Sequence, residues 1–419
     1  MTGNRPVPQA DGATAEAVLG LRRPDDLQAR PDPGDDPGLL DLIRSQIRSD
    51  GPLTFARFME LVLYHPDLGY YAGGTRGPGR DADFLTAPES HPLFGWAVAR
   101  QLHEVWDRLG RPERFTIREH GAGNGALAAA IVDGLRRSGS PLGDALRYRI
   151  VERSRPRERQ VAERLAAMGA GSVLEADDGL PIIGAVLANE VPDALPVHRV
   201  EGRPDGEFDE LFVGLDGSGV LVNVVGPPRD PGLRVRLEAE GIRLAPGQRA
   251  EVCLALDRWM ADAAAGLERG LLLIVDYGHP AAALYDPARG SLLRAYVRHR
   301  VHDDPYANVG RQDLTAHVDL TAVASAAAAA GLDHLGTTTQ AAFLAGLEAG
   351  ELLVGLQSNA DTTLQGYLDA RSALLRMLDP GATGRFAVVA FGRSLPGDVP
   401  LAGLGFRLPA RGGPRGGPR

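Results

Sequence analysis

Between the runs "RFTIREH" and "ALAAAIVDGL" the chain places Gly121, Gly123 and Gly125 at alternate positions, with Glu119 two residues before the first of them. A strand-like run, a glycine turn and a helix start together mark a place where a ligand meets backbone, because glycine accepts φ > 0 and has no Cβ to hold the ligand away. The spacing is G-x-G-x-G and lacks the third glycine of a pyrophosphate cradle. Glu119 would repel a pyrophosphate, whereas it suits a cationic amino-acid moiety, directly or through water. Glu152 ends the next strand-like segment, where an acceptor for paired ribose hydroxyls belongs. Asp177 and Asp178 follow a third segment, within reach of an adenine amine, and Asn189 ends a fourth. Each acid taken singly could merely end a strand in solvent. Their joint order points to S-adenosyl-L-methionine, which carries an ammonium and a sulfonium and no phosphate. The expected cofactor residues are Glu119, Gly121, Gly123, Asn124, Gly125, Glu152, Asp177 and Asn189.

The fourth segment is followed by "NEVPDALP", at the sheet edge where open α/β folds bind ligands. Glu190 and Asp193 are three apart and can face one side of a turn. The chain has no lysine, all 45 basic side chains being arginine. These two anions therefore meet an arginine, receive a cationic acceptor, or cap the next segment. A second polar cluster, "GRQDLTAHVDLT", offers His317 as a general base that Asp313 could orient. Helix capping by Asp313 or Asp319 is the plainer account of those acids. Glu190, Asp193 and His317 are the expected catalytic residues, with Tyr277 and His279 behind them. Histidines are too few nearby for a metal site.

Composition narrows the classes further. Without lysine there is neither a Walker-type phosphate loop nor a pyridoxal Schiff base. Cys253 is the single cysteine, which removes disulfides and cysteine-based zinc or iron–sulfur sites. The net charge of −9 argues against a broad grip on nucleic acid or an anionic membrane. No apolar run reaches the roughly eighteen residues of a membrane span, and the N-terminus reads as neither signal nor transit peptide. A cytoplasmic protein is expected.

The elements that must position these residues alternate between strand-like and helix-like runs, the pattern of a parallel sheet covered by helices. Strands are expected at 115–119, 147–152, 172–175, 185–189 and 271–278, with a last one at "FAVVAF". Residues 1–36 read as a disordered arm, 37–110 as an N-terminal helical cap and 111–395 as the catalytic domain. Within the last, 198–236 reads as a β-rich insertion; 396–419 is a Gly/Pro/Arg-rich tail. The fold class is α/β, a Rossmann-like sheet with cap and insertion.

"GYY" (69–71), "DFLTAPE" (83–89), "GAGNG" (121–125), "ANEVPDALPVHRV" (188–200), "VDYG" (275–278) and "GRQDLTAHVD" (310–319) stand in the order of the MidA family, which the chain resembles from about residue 38 to 393. That family includes the mitochondrial complex I assembly-factor methyltransferase. The resemblance implies a class I S-adenosylmethionine-dependent methyltransferase acting on arginine of a partner protein such as a complex I subunit. It places Gly121, Gly123 and Gly125 against the methionine part of the cofactor and Glu152 against its ribose. Two motifs depart from the family: Glu119-His120-Gly121 replaces Glu-Leu-Gly, and Val191-Pro192 replaces two phenylalanines. The second change leaves open a small-molecule N- or O-methyltransferase of biosynthesis, or an assembly factor without turnover. The oligomeric state is not encoded in any motif.

Overall fold

The computed structural model describes residues 32–72, 86–298 and 300–406. The expected N-terminal arm lies almost wholly outside the described residues, as do residues 407–419 of the Gly/Pro/Arg-rich tail expected at 396–419 and most of the glycine-rich loop before Thr86; the first part of that tail forms a short helix, Ala402–Gly405.

Helix α1 (Pro37–Asp50) starts on Asp36, whose carboxylate accepts from the Leu39 amide at 3.2 Å, and it buries Leu39, Ile43 and Ile47 at four-residue spacing. Helix α2 (Phe55–Tyr64) starts on Thr54, which accepts from the Arg57 amide at 3.1 Å. Its buried face includes Phe55, Phe58, Met59 and Val62. Each such side chain contributes about 1.5–3 kcal/mol on burial, enough together to hold two short helices. Helices α3 (Leu93–Arg108), α4 (Ala126–Arg137), α5 (Arg155–Ala167), α6 (Ala255–Ala265), α7 (Leu320–Ala329) and α8 (Leu364–Leu378) follow.

The strands, in chain order, are β1 (Phe115–His120), β2 (Leu146–Val151), β3 (Ile182–Asn189), β4 (His198–Gly202), β5 (Phe208–Leu215), β6 (Leu221–Gly226), β7 (Arg249–Val252), β8 (Leu267–Asp276), β9 (Leu293–Val297), β10 (Arg300–His302), β11 (Asp313–Ala316), β12 (Asp333–Thr339) and β13 (Ala387–Arg393). The central sheet runs β12-β13-β8-β3-β1-β2, with β8, β3, β1 and β2 mutually parallel and β13 set antiparallel between β8 and β12, so that only β13 is reversed. Alternate residues of its strands enter two cores. Ile117, Leu187 and Leu273 face α3 and α4, while Val186, Leu272 and Ile274 face α6 and α7. Burial on both faces is why runs such as "LLLIV" carry no polar alternation.

The expected third strand does not form. Residues 171–173 are a single 3₁₀ turn, and only a bridge between Tyr148 and Leu174 continues the sheet. The chain then turns back so that the acids after it meet arginines on β1 and β2.

Strands β4 to β7 form an antiparallel sheet to which Leu53–Thr54 adds, pairing with Val213 and Phe212. Strand β7 belongs to it through His198↔Val252, beyond the expected end of the insertion. The first helices thus share a core with the inserted strand β5 and with β9 and β11: Ile43, Phe58 and Met59 pack with Val213, Leu293 and Leu314. A small sheet, β10-β9-β11, brings Asp313 next to the central sheet edge. No helix among the described residues is long and apolar enough to cross a membrane.

Candidate active site

Register fixes the site. His120 stands opposite both Val151 and Ala188, and Asn189 opposite Val275, so the chain leaves β1, β2, β3 and β8 along one edge. After β1 the loop turns with φ of +64°, +56° and +77° at Gly121, Gly123 and Gly125, the left-handed region that glycine enters freely. The Gly123 amide donates to Glu152 Oε2 at 3.2 Å, and the Ser154 amide to Oε1 at 3.0 Å. One carboxylate thus ties the loop to the exit of β2.

A cleft opens over this edge, lined by Glu119, Gly121, Gly123, Asn124, Glu152, Asn189, Glu190 and Asp193 among others. Glu119 is buried and accepts from the Tyr148 hydroxyl at 2.6 Å; burial pushes it up to about 7. Asn124 accepts from the Ala126 amide at 3.1 Å, across the turn that leads into α4, and donates to Glu89 at 2.7 Å. Burial pushes Glu89 up to about 7 as well. Asn189 donates to Glu190 at 3.1 Å and leaves Oδ1 buried without a hydrogen-bond partner.

Three expectations need correction. Gly125 does not line the cleft; a Cβ there would lie 3.0 Å from Val161 Cα, so its small size serves packing of α4 on α5. Asp177 is away from the cleft because Arg118, buried on β1, takes its carboxylate at 2.6 Å. Its neighbour Asp178 pairs with Arg149. Nor does Asp313 orient His317: its carboxylate accepts from the Tyr71 hydroxyl at 2.8 Å. Asp319 is the helix cap, accepting from the Thr321 and Ala322 amides.

Glu190 takes φ +52°, an unusual conformation for a non-glycine residue, with its amide on Val275 O at 2.8 Å. Burial first, then the charge of Asp193, pushes its carboxyl up to about 8. Asp193 lies in the turn Pro192–Ala194, its amide held by Asp276 Oδ2 at 3.1 Å and its Oδ2 by the Tyr277 hydroxyl at 2.5 Å. Its Oδ1 is buried without a partner, and burial pushes the group up to about 6. Among the described residues neither Glu190 nor Asp193 forms an ion pair.

A second cavity continues from this point. It shares Thr86, Glu190, Asp193 and Asp313 with the cleft and runs out past Tyr277 and His317. His317 stacks on His279 at 5.6 Å and meets Tyr277 edge-on at 5.1 Å. Burial, and secondly the neighbouring His279, push it down to about 4.

Several lining residues had no expected role, namely Tyr64, Tyr71, Glu89, Arg157 and Trp259, while Asp313 lines the cleft in place of the role expected of it. Glu89 and Asp313 sit inside motifs that signal them. Trp259 lies mid-helix with no local signal, and it meets His120 edge-on at 5.8 Å. Burial pushes His120 down to about 4, and its Nε2 has no hydrogen-bond partner.

The site suits S-adenosylmethionine on its own terms. Gly121 and Gly123 keep the wall clear of Cβ atoms, Asn189 and His120 offer unsatisfied polar atoms, and the carboxylate-rich lining favours a cation over a phosphate. A parallel sheet carrying a glycine loop after one strand and an acid after its neighbour defines a class I S-adenosylmethionine-dependent methyltransferase. Over residues 97–338 the sequence matches the family described as "Putative S-adenosyl-L-methionine-dependent methyltransferase", and the chain belongs to it.

Among its relatives, a Drosophila melanogaster protein named "Protein arginine methyltransferase NDUFAF7 homolog, mitochondrial" is 29% identical, over 83% of each chain. The mouse protein named "Protein arginine methyltransferase NDUFAF7, mitochondrial" is 30% identical, over 66% of each. A crystal structure from Burkholderia thailandensis bound to S-adenosyl-homocysteine is 31% identical with a TM-score of 0.79, covering 96% of this chain and 98% of that one. The expected family, fold class and cofactor stand. The cytoplasmic location does not, since the relatives are named mitochondrial proteins.

Proposed function

We propose that the chain methylates an arginine guanidinium of a partner protein. The observation that carries this reading is the position of Glu190 and Asp193: two carboxyls without an ion-pair partner among the described residues, where the cofactor cleft meets the second cavity. The relatives' name, protein arginine methyltransferase, supports it.

When bound, S-adenosylmethionine supplies a methyl group already activated on a sulfonium. The chain's own residues bind and align. Glu152 accepts the ribose hydroxyls, and the Gly121–Gly123 backbone admits the methionine part. Arg157, on the loop side of the cleft, is the cation suited to the methionine carboxylate. A guanidinium stays protonated at any working pH. Glu190 and Asp193 accept its N–H groups and fix the plane in which a nitrogen lone pair becomes available. The proton lost from the methylated nitrogen passes to one of these carboxylates and then to solvent. His317, neutral and farther out, lines the second cavity and is a weaker proton acceptor than either carboxylate. Residues 111–395 form the catalytic unit in this reading, and residues 37–110 help to close the acceptor side.

Transfer of labelled methyl to a complex I subunit, with methylarginine identified by mass spectrometry, tests the proposal. Label appearing only in low-molecular-weight acceptors would overturn it in favour of a biosynthetic methyltransferase. Absence of S-adenosylhomocysteine release in a single turnover with the true partner would leave an assembly factor.

A further inference from the structure

The second cavity changes sign along its length. Its inner end, shared with the cofactor cleft, holds Glu190, Asp193 and Asp313, while its outer lining carries Arg294, Arg376 and Arg385. These arginines converge from three elements, β9, α8 and the 3₁₀ turn Thr383–Arg385. Arg385 is exposed, which puts it at the mouth.

Elsewhere on the surface arginines pair with acids, as in Arg203–Asp205, Arg236–Asp257 and Arg249–Glu201. The mouth differs. Among the described residues Arg294 donates only to the carbonyls of Ser291 and Leu293, at 3.1 and 2.7 Å, and Arg385 has no carboxylate partner. Their field is felt inside: Arg294 and Arg385 both act against a charge on His317.

A cationic acceptor gains nothing from this ring and is repelled by it on the way in. The ring therefore fits another part of the substrate. We propose that the mouth binds an acidic side chain close in sequence to the methylated arginine, so that the preferred substrate is an arginine flanked within a few residues by Asp or Glu. This rests on the arginine reading above. The inner carboxylates take the guanidinium, and Arg294 and Arg385 take the flanking anion, which fixes the direction in which the peptide enters.

Two peptides decide it, each with one arginine, one flanked by glutamates and one by glutamines. Methyl transfer is measured for both with the full chain, alongside peptide affinity by fluorescence anisotropy in the presence of S-adenosylhomocysteine. The acidic peptide should be preferred about tenfold in kcat/KM, mostly through KM, with the preference shrinking at high salt. Arg385→Glu and Arg294→Glu should each abolish or invert the preference while S-adenosylmethionine affinity, read by calorimetry, stays the same. Equal affinity and equal turnover for the two peptides would overturn the proposal and leave the arginine reading standing. Tighter binding of the acidic peptide with no methylarginine formed would support the mouth assignment and count against arginine as acceptor. A preference that survives both charge reversals would overturn the assignment to these side chains.

Discussion

The Tyr277 hydroxyl donates to Asp193 Oδ2 at 2.5 Å, while the Asp193 amide donates to the carboxylate of Asp276, the residue just before that tyrosine. The exits of β3 and β8 are thereby locked together, and Asp193 Oδ1 is left buried without a hydrogen-bond partner. The tyrosine's hydrogen bond lowers a carboxyl that burial raises to about 6. In Tyr277→Phe the carboxyl should titrate higher. The acid limb of kcat/KM against pH should move up, with activity at neutral pH falling about tenfold and partly recovering above pH 8. A uniform loss across all pH values would mean that the tyrosine only packs.

Glu190 yields a prediction in which activity and stability move oppositely. Burial, and secondly the charge of Asp193, push its carboxyl up to about 8 from an ordinary 4.5. Its contribution to stability is therefore complete below pH 4.5 and is lost as pH rises through 8. Glu190→Gln carries no such loss, so its stability relative to the parent, followed by thermal unfolding, should rise between pH 5 and pH 9 by a few kcal/mol, at about 1.4 kcal/mol per pH unit up to 8. Turnover should fall by about two to three orders of magnitude, as for loss of one preorganised electrostatic group, with S-adenosylmethionine affinity unchanged. Full activity would remove the carboxylate from the chemistry, and weakened cofactor binding would move it into the cofactor cleft.

What the sequence makes legible follows from how local each signal is. The loop glycines, Glu152 and the Asn189–Glu190 pair lie where a strand ends, and a strand's end is read from its own residues. Asp177 misled because its position presumed a third strand, and whether four residues join a sheet is decided by neighbours. The arginines that capture Asp177 and Asp178 sit on β1 and β2, 59 and 29 residues away along the chain. The assignment of the acids of 310–319 turned on topology too: Tyr71 reaches Asp313 across 242 residues. Trp259 illustrates the remainder, a tryptophan whose place beside His120 is set by how α6 packs and by no pattern around it.

Glu152→Ala should weaken S-adenosylmethionine binding by about ten- to a hundredfold, since hydrogen bonds to a charged acceptor are worth about 1.5–3 kcal/mol. The same carboxylate also accepts from the Gly123 and Ser154 amides. The variant should accordingly show faster hydrogen exchange at both amides without ligand, whereas a residue serving the ribose alone would leave them protected. An unchanged dissociation constant would reduce Glu152 to a tie between strand and loop.

The glycines of the loop separate binding from packing. At Gly123 a Cβ would meet no atom nearer than Arg157 Nη1 at 3.6 Å, so space inside the protein does not forbid a side chain there. The backbone does resist one: φ of +56° costs an ordinary residue about 1–2 kcal/mol. At Gly125 the same strain is joined by contact with Val161, at 3.0 Å from its Cα. Gly123→Ala should therefore stay folded with a melting temperature a few degrees lower, yet bind S-adenosylmethionine at least tenfold more weakly, because the added methyl stands on the cleft wall. Gly125→Ala should lose more stability than Gly123→Ala, since α5 must shift to admit it. Calorimetry of the two proteins beside thermal unfolding gives both quantities. If Gly123→Ala bound the cofactor with parental affinity, close approach of the ligand to this loop would be refuted, and with it the reason for a glycine at that position.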